Sequence, residues 1–292
     1  MSIHGYSNLL TMRRFALLPV YAALIFFAIV TLIPLVWMAT SAVKDQTDFF
    51  TSFFLPQGDG LFGVAWDRIT FDNFSRLFAE HPIGRALFNS FFFASVSSTT
   101  ATLACAMGGY GLAKFSFGAR GWLTGLVLGA LIIPGPLLIA PSYQLLWQLG
   151  LLNSYSGLVL PAIAPAFGVF LFRQSMLNSV PAELLESARI DGAGEFRIFF
   201  TIVIPLVRPM IGAFLLITFL GAWNNFIGPQ IILQEPELFP LSVTVNNLRG
   251  IYATDYGLIM SGTLISIAPV MCLFLLLQKE FISGLTSGAV KG

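Results

Sequence analysis

The sequence predicts an all-α membrane protein with six transmembrane helices and both termini in the cytoplasm. Three observations predict it. The 292 residues are 56% hydrophobic and 10% charged, with a mean hydropathy of +0.82, too little charge to cover a soluble domain. Six apolar runs approach the ~20 residues that cross ~30 Å of hydrocarbon, and none alternates as a barrel strand would. The segments between the runs alternate in charge.

The first run, Phe15–Val43, follows Arg13 and Arg14. It is longer than the ~7–15 apolar residues of a secretory signal and reads as a retained first span. The second is Ala86–Ala113, the third Gly121–Pro141, the fourth Tyr155–Phe172, the fifth Met210–Leu233 and the sixth Tyr256–Gln278. Residues 121–172 carry no charge, and the turn chemistry of Gly150–Gly157 divides them. One set of flanks holds Arg13, Arg14, Lys114, Arg120, Arg173, Arg189, Arg197, Arg208, Lys279 and Lys291. The other, Lys44–Arg85 and Gln234–Asp255, is acid-rich. Positive flanks stay cytoplasmic, which places both termini and the Pro181–Pro209 loop inside. The chain reads as one membrane domain over 1–292, with a core at 85–280 and a cytoplasmic loop at 181–205.

Details follow from local chemistry. Asp72–Glu80 reads as a short interfacial helix with Asp72 as its N-cap. Hydroxyls of the second span (Ser95, Ser97, Ser98, Thr99, Thr100, Thr102) are expected to bond back to helix carbonyls or to bridge helices. Gly121, Gly125 and Gly129 suit close helix packing, within the chain or against a sister subunit. Cys105 and Cys272 both fall in apolar runs and are expected to be buried. A net charge of +1 without a basic patch offers nothing to nucleic acid.

Much chemistry is missing. There is no HExxH or Cys/His cluster for a metal, no GxSxG elbow, and no catalytic residue to name. Gly108–Phe115 (GGYGLAKF) lacks the Gly-Lys-Ser/Thr ending of a phosphate-binding loop. The spans hold no Asp, Glu, Lys or Arg, where ion-coupled carriers keep ionisable groups. Energy for uphill transport would therefore enter elsewhere, and the equipped place is Pro181–Pro209.

That loop holds Glu183, Glu186, Arg189, Asp191, Glu195, Arg197 and Arg208. Ser179 can cap its first helix, with Pro181 in the first turn. Glu183 and Glu186 sit near the positive helix end. Asp191-Gly192 supports a tight turn, with Gly192 free to take a positive φ. Glu195–Ile204 resumes helical spacing, with Phe196, Phe199 and Phe200 as an apolar patch. A solvated amphipathic loop on the membrane surface is the alternative at this point.

Glu186-Ser187-Ala188, three residues, Gly192, nine residues and Ile202-Val203-Ile204-Pro205 resemble the EAA motif of bacterial ABC importer permeases, Glu-Ala-Ala-x3-Gly-x9-Ile-x-Leu-Pro. Ser187 and Ile204 are conservative departures. Arg85 with Leu87–Ser90, the turn Gly150–Tyr155, Ala188–Ala193 (ARIDGA), Gly221–Phe226 (GAWNNF) and the tail Gly284–Gly292 are similar to the second permease subunit of the carbohydrate importers, the maltose-transporter (MalG) type. The resemblance covers nearly the whole chain.

The resemblance implies docking of the loop helices on an ATPase subunit. Glu183, Glu186, Ser187, Ala188, Asp191 and Gly192 would make the docking turn, Glu186 meeting a basic group and Gly192 permitting the bend. Ile202 and Pro205 would tie the turn to the fifth span, and Lys291 in the tail would touch the ATPases. It implies a homologous second permease forming a heterodimer, two ABC ATPases that bind ATP and magnesium, an extracytoplasmic solute-binding protein, and a multi-pass place among the lipids of the bacterial inner membrane. This chain itself would carry no cofactor and no enzyme activity.

For the solute, Trp223, Asn224 and Asn225 stand some 27–30 Å along a helix counted from Pro205 at ~1.5 Å per residue. Their ring and amides suit a sugar, though an interfacial Trp with helix-capping amides fits equally. Asn246, Asn247 and Arg249 lie in the outer loop that, by the resemblance, meets the binding protein. The rivals are an ABC permease for a non-sugar cargo, an ion-coupled carrier and an intramembrane enzyme.

Overall fold

A computed structural model describes residues 4–250 and 254–286, and they divide into two compact units. One unit comprises the described residues up to 81 and from 248 to 264, the other those from 82 to 247 and from 265 onward. Among the described residues there are helices and two isolated bridges, Gln57 with Val64 and Arg249 with Thr254.

The first unit holds α1 (His4–Ala42), α2 (Gln46–Thr51), α3 (Asp72–Glu80) and the start of α15 (Tyr256–Thr286). α3 begins one residue after Phe71, and the Asp72 amide donates to Thr70 Oγ1. Asp72 is thus the first helical residue, and the hydroxyl two residues upstream does the capping expected of it. The Asn73 amide donates to Ala42 O and Lys44 O at 2.9 and 2.8 Å, closing the end of α1. Lys44 is fully buried and its ammonium donates to Ser52 O at 2.9 Å. Gln46 clamps the start of α15, donating to Thr254 O and accepting from Tyr256 N.

The second unit holds α4 (Ile83–Lys114), α5 (Arg120–Ala130), α6 (Ile139–Gln148), α7 (Tyr155–Val159), α8 (Ala166–Ser179), α9 (Ala182–Ile190), α10 (Glu195–Ile198), α11 (Ile204–Leu206), α12 (Arg208–Trp223), α13 (Ile227–Ile232), α14 (Leu241–Asn247) and the rest of α15. α4 packs mainly against α8 and α12. Two glycines let these backbones meet. A Cβ on Gly109 would stand 2.6 Å from Phe172 Cβ and 2.7 Å from Arg173 N. One on Gly168 would stand 2.6 Å from Cys105 Sγ. The sequence around Gly109, compared above with a phosphate loop, is therefore a helix-packing surface.

Among the described residues, three helices are long and apolar enough to cross a membrane: Leu17–Ala42, Ile83–Lys114 and Tyr256–Leu276. They match the first, second and sixth expected spans. Where the other three were expected there are helix pairs bent at a short break: Arg120–Ala130 with Gly135–Gln148 at 100°, Tyr155–Ala162 with Ala166–Ser179 at 43°, and Glu195–Leu206 with Arg208–Trp223 at 83°, of which Arg208–Trp223 overlaps the expected fifth span. Proline supplies the breaks. Pro134 and Pro136 interrupt the first pair and Pro165 the second, since proline lacks the N–H a continuous helix needs. Gly150, with φ +66, and Asn153, with φ +53, make the expected turn, and Ser154 caps α7 by accepting from Gly157 N.

Among the described residues nothing lies within 4 Å of a Cβ built on Gly121, Gly125 or Gly129, so of the two packings expected for this glycine row the one within the chain finds no partner there. The burial expected for both cysteines is corrected for one of them: Cys272 is exposed, unlike the buried Cys105.

Candidate functional site

The charged loop at 181–209 is built around one helix end. α9 starts from Pro181 at the N-cap, where no side chain accepts. Ser179, expected there, is instead the last residue of α8. Leu185 and Ala188 are buried in a core with Tyr110, Phe172, Met176, Ile198, Phe199 and Val203. Glu183, Glu186, Ser187 and Asp191 are exposed. At the C-terminus Gly192 has φ +80. Its N–H donates to Arg189 O, and the N–H of Ala193 donates to Ala188 O, both at 3.0 Å. This is a Schellman ending with Gly192 at C′. It explains the motif physically. Ala188, three residues before the cap Asp191 turns the chain, must be small and inward. Gly192, four residues on, must be left-handed.

Past the turn, α10 runs into a π turn over Phe199–Val203, followed by α11. Pro205 has no N–H for the carbonyl four residues back, and a widened turn just upstream accommodates that. Pro205 is exposed and Ile202 packs against the same core. The expected patch of three phenylalanines is split. Phe199 is buried, with its ring 5.5 Å from Tyr110, while Phe196 is 71% exposed. The largest apolar exposure on the loop is Ile190, at 86%. The charge pattern hid it. The signal was an isoleucine at the last helical position before Asp-Gly.

Polar contacts fix the turn to the C-terminal end of α4. Arg189 Nε donates to Glu195 Oε1 at 2.6 Å, and Tyr110 OH donates to Glu195 Oε2 at 2.9 Å. The Arg189 guanidinium lies 5.9 Å over the Phe115 ring. The Lys114 ammonium donates to Val180 O. Arg189 holds the Glu195 carboxyl below its ordinary value, with Tyr110 adding to the effect. A carboxyl depressed on folding stabilises above its unfolded pKa and loses that contribution as pH falls through the folded one. The pair is part-exposed, so its worth stays below about 1 kcal/mol. We expect amide exchange over residues 192–198, corrected for intrinsic rate, to rise severalfold as pH falls from ~7 to ~3. Glu195→Gln should abolish most of that pH dependence. Lys291 lies outside the described residues.

On the other side, Trp223 ends α12. It is buried, its ring stacks 5.8 Å from Phe219, and Nε1 donates to Ser266 O at 3.1 Å. Asn224 is the C-cap and donates to Leu220 O. Asn225 Oδ1 accepts from Gly228 N at 3.1 Å, capping α13. The distance counted from Pro205 does not hold, because the 83° bend at Val207 starts a new helix axis at Arg208. A cavity of about 350 Å³ is lined by Phe93, Ser97, Phe167, Phe214, Thr218 and Asn225 with neighbouring apolar groups. Of the three expected residues only Asn225 lines it. Ser98 and Thr100 bond back to helix carbonyls as expected. Ser97 Oγ does not; it is buried without a partner, at the wall of this cavity.

Asn246 and Asn247 close α14, and Arg249 follows in its bridge with Thr254. Residues missed by the sequence reading hold the segment before α14. Asn89 Nδ2 donates to Glu237 O at 2.8 Å and Phe239 O at 3.1 Å, and Tyr155 OH donates to Leu238 O. Asn153 Oδ1 accepts from Gln234 N and Glu235 N. Ser90 Oγ accepts from Leu241 N at 2.7 Å. The available signal was their place in the family-like segments Leu87–Ser90 and Gly150–Tyr155.

Residues 77–282 match the family described as binding-protein-dependent transport system inner membrane component. The chain is 40% identical over 225 residues to the arabinooligosaccharides transport system permease protein AraQ of Bacillus subtilis (strain 168), covering 77% of this chain and 80% of that protein. It is 32% identical over 279 residues to the lactose transport system permease protein LacG of Rhizobium radiobacter, covering 96% and 98%. Among solved structures, it is similar to a chain in a crystal structure of a bacterial ABC transporter involved in the import of the acidic polysaccharide alginate. The TM-score is 0.78 at 21% identity, covering 93% of this chain and 98% of that one, a likeness of fold.

Proposed function

This chain belongs to the binding-protein-dependent transport system inner membrane component family, and from that premise we propose that it is the permease subunit of an ATP-driven ABC importer carrying a sugar or oligosaccharide across the bacterial cytoplasmic membrane. The observation that carries the coupling role is the Schellman-ended α9, which presents Glu183, Glu186, Ser187 and Ile190 to the aqueous phase while Leu185 and Ala188 anchor it. The cargo class rests on relatives named for arabinooligosaccharides and lactose.

In this reading the first two bent pairs each count as one span and Arg208–Trp223 leads the fifth, giving six, and the charge alternation puts both termini inside. The Glu195–Leu206 arm, turned 83° from α12, lies outside the fifth span as part of the cytoplasmic loop. Glu186 pairs with a basic group of one of two ATPases, with Asp191 and Gly192 shaping the contact and Ile202 and Pro205 joining it to α12. Lys291 adds a tail contact. ATP and magnesium belong to the ATPases, since this chain has no Gly-Lys-Ser/Thr loop. A homologous permease completes the pore as a heterodimer. The cavity bounded by Ser97, Thr218 and Asn225, with Trp223 and Asn224 at its helix end, contributes to the sugar path, where aromatic faces meet sugar C–H groups and amides meet hydroxyls. Asn246, Asn247 and Arg249 face the binding protein.

The purified chain alone is expected to hydrolyse no ATP, while the complex with its ATPases, co-permease and binding protein imports a sugar in proteoliposomes. Turnover by the isolated chain, or a reconstituted complex that imports only non-carbohydrate solutes, would overturn this reading.

A further inference from the structure

α4 differs from its neighbours. It runs 32 residues without proline, about 48 Å at 1.5 Å per residue. Every other candidate span in its unit is bent by 43° or more or, like α15, carries an internal proline. Close packing holds it: Gly109 against Phe172 and Cys105 against Gly168 leave no room for sliding past α8. Interiors this dense transmit displacement instead of absorbing it.

Both ends of this helix are gripped by functional segments. At the cytoplasmic end, Tyr110 reaches Glu195, Lys114 reaches Val180 O, and Phe115 lies under Arg189. These contacts bracket α9 on both sides. At the outer end, the buried Asn89 donates to the carbonyls of Glu237 and Phe239, and Ser90 accepts the first N–H of α14. Main-chain groups of the outer loop are thus fastened to the same rigid helix as the coupling turn.

We propose that α4 is a transmission rod, with Asn89 and Tyr110 as positioning residues that make the outer segment 236–247 move together with the turn at 188–195. This rests on the coupling role proposed above and adds a mechanism to it. Coupling between two sites is reciprocal. A binding protein seated on the outer loop therefore biases the coupling turn, and ATP-driven movement of the turn carries the outer loop.

The test uses the whole complex in proteoliposomes. Asn89→Asp keeps the side-chain shape but removes both donated bonds, and Tyr110→Phe removes only the hydroxyl. Each variant is expected to assemble and hydrolyse ATP without binding protein within about twofold of the wild type. Sugar imported per ATP should fall about tenfold, within the usual span of coupling between sites. The double variant should be no worse than either single one, because both break one element. If Asn89→Asp fails to reach the membrane, Asn89→Ala carries the same expectation. Unchanged import per ATP in the single variants, or a double variant whose loss is the product of the two, would overturn the rod. A wild-type complex that neither hydrolyses nor imports, or a Glu186→Arg complex that imports normally, would instead sink the coupling role.

Discussion

Glu186→Arg and Gly192→Val each leave the chain in the membrane and abolish ATP-driven uptake. Among the described residues, Glu186 makes no hydrogen bond or ion pair, and it stands exposed on α9. Reversing its charge therefore disturbs little within this chain. The damage falls on a partner, where placing like charges together at a contact costs several kcal/mol. ATPase co-purification should drop by at least about tenfold, the equivalent of ~1.4 kcal/mol. Gly192 acts differently. Nothing lies within 4 Å of a Cβ built there, so space is not the obstacle. Its φ of +80 is. A left-handed conformation costs an L-residue about 1–2 kcal/mol, and a β-branched side chain tolerates it worst. Valine is expected to open the Schellman ending and re-aim α9 against α10. The order of uptake should be Gly > Asn > Ala > Val, because asparagine tolerates αL best among the replacements. Normal uptake in both Glu186→Arg and Gly192→Val would remove the basis for the coupling role.

Gly109→Val is expected to have the largest effect on folding. A Cβ there already meets Phe172 Cβ at 2.6 Å, Arg173 N at 2.7 Å and Phe172 C at 2.9 Å. Two of these are backbone atoms that cannot step aside by a rotamer change. α4 and α8 must separate, and Phe172, fully buried beside Phe214, loses its packing. Overpacking of this kind costs ~1–3 kcal/mol or more, and in a cell 1–2 kcal/mol already lowers abundance severalfold. Gly111→Val is the internal control. It lies two positions along the same helix and has nothing within 4 Å. Membrane levels measured by quantitative blotting should fall at least about fivefold for Gly109→Val and stay near wild type for Gly111→Val. Equal levels would mean that α4 and α8 do not meet at Gly109.

The turn at Ala188–Gly192 was legible because its physics is local. A left-handed glycine four residues after a small inward residue is a complete instruction for ending a helix, and it lies within Ala188–Gly192. The solute side was less legible. Asn225 was expected to face a sugar path and does line a cavity, yet its Oδ1 caps α13 and Trp223 is tied to Ser266. Ser97 was read with five other hydroxyls as a back-bonder or a bridge between helices. Only the facing of α4, α8 and α12 leaves it unpartnered at the cavity.

By itself the sequence determined the all-helical membrane character, the position of six apolar runs, the loop that carries the charge and the residue that bends it. Each depends on a run of about 20 residues or on a fixed short offset. The tertiary structure decided which runs are straight and which are bent, which glycine of the GGYG stretch is a contact, and how α4 joins the two ends. Asn89 meets Glu237 across 148 positions and Tyr110 meets Glu195 across 85. No local pattern encodes such pairings, because they form only where packed helices bring distant segments side by side.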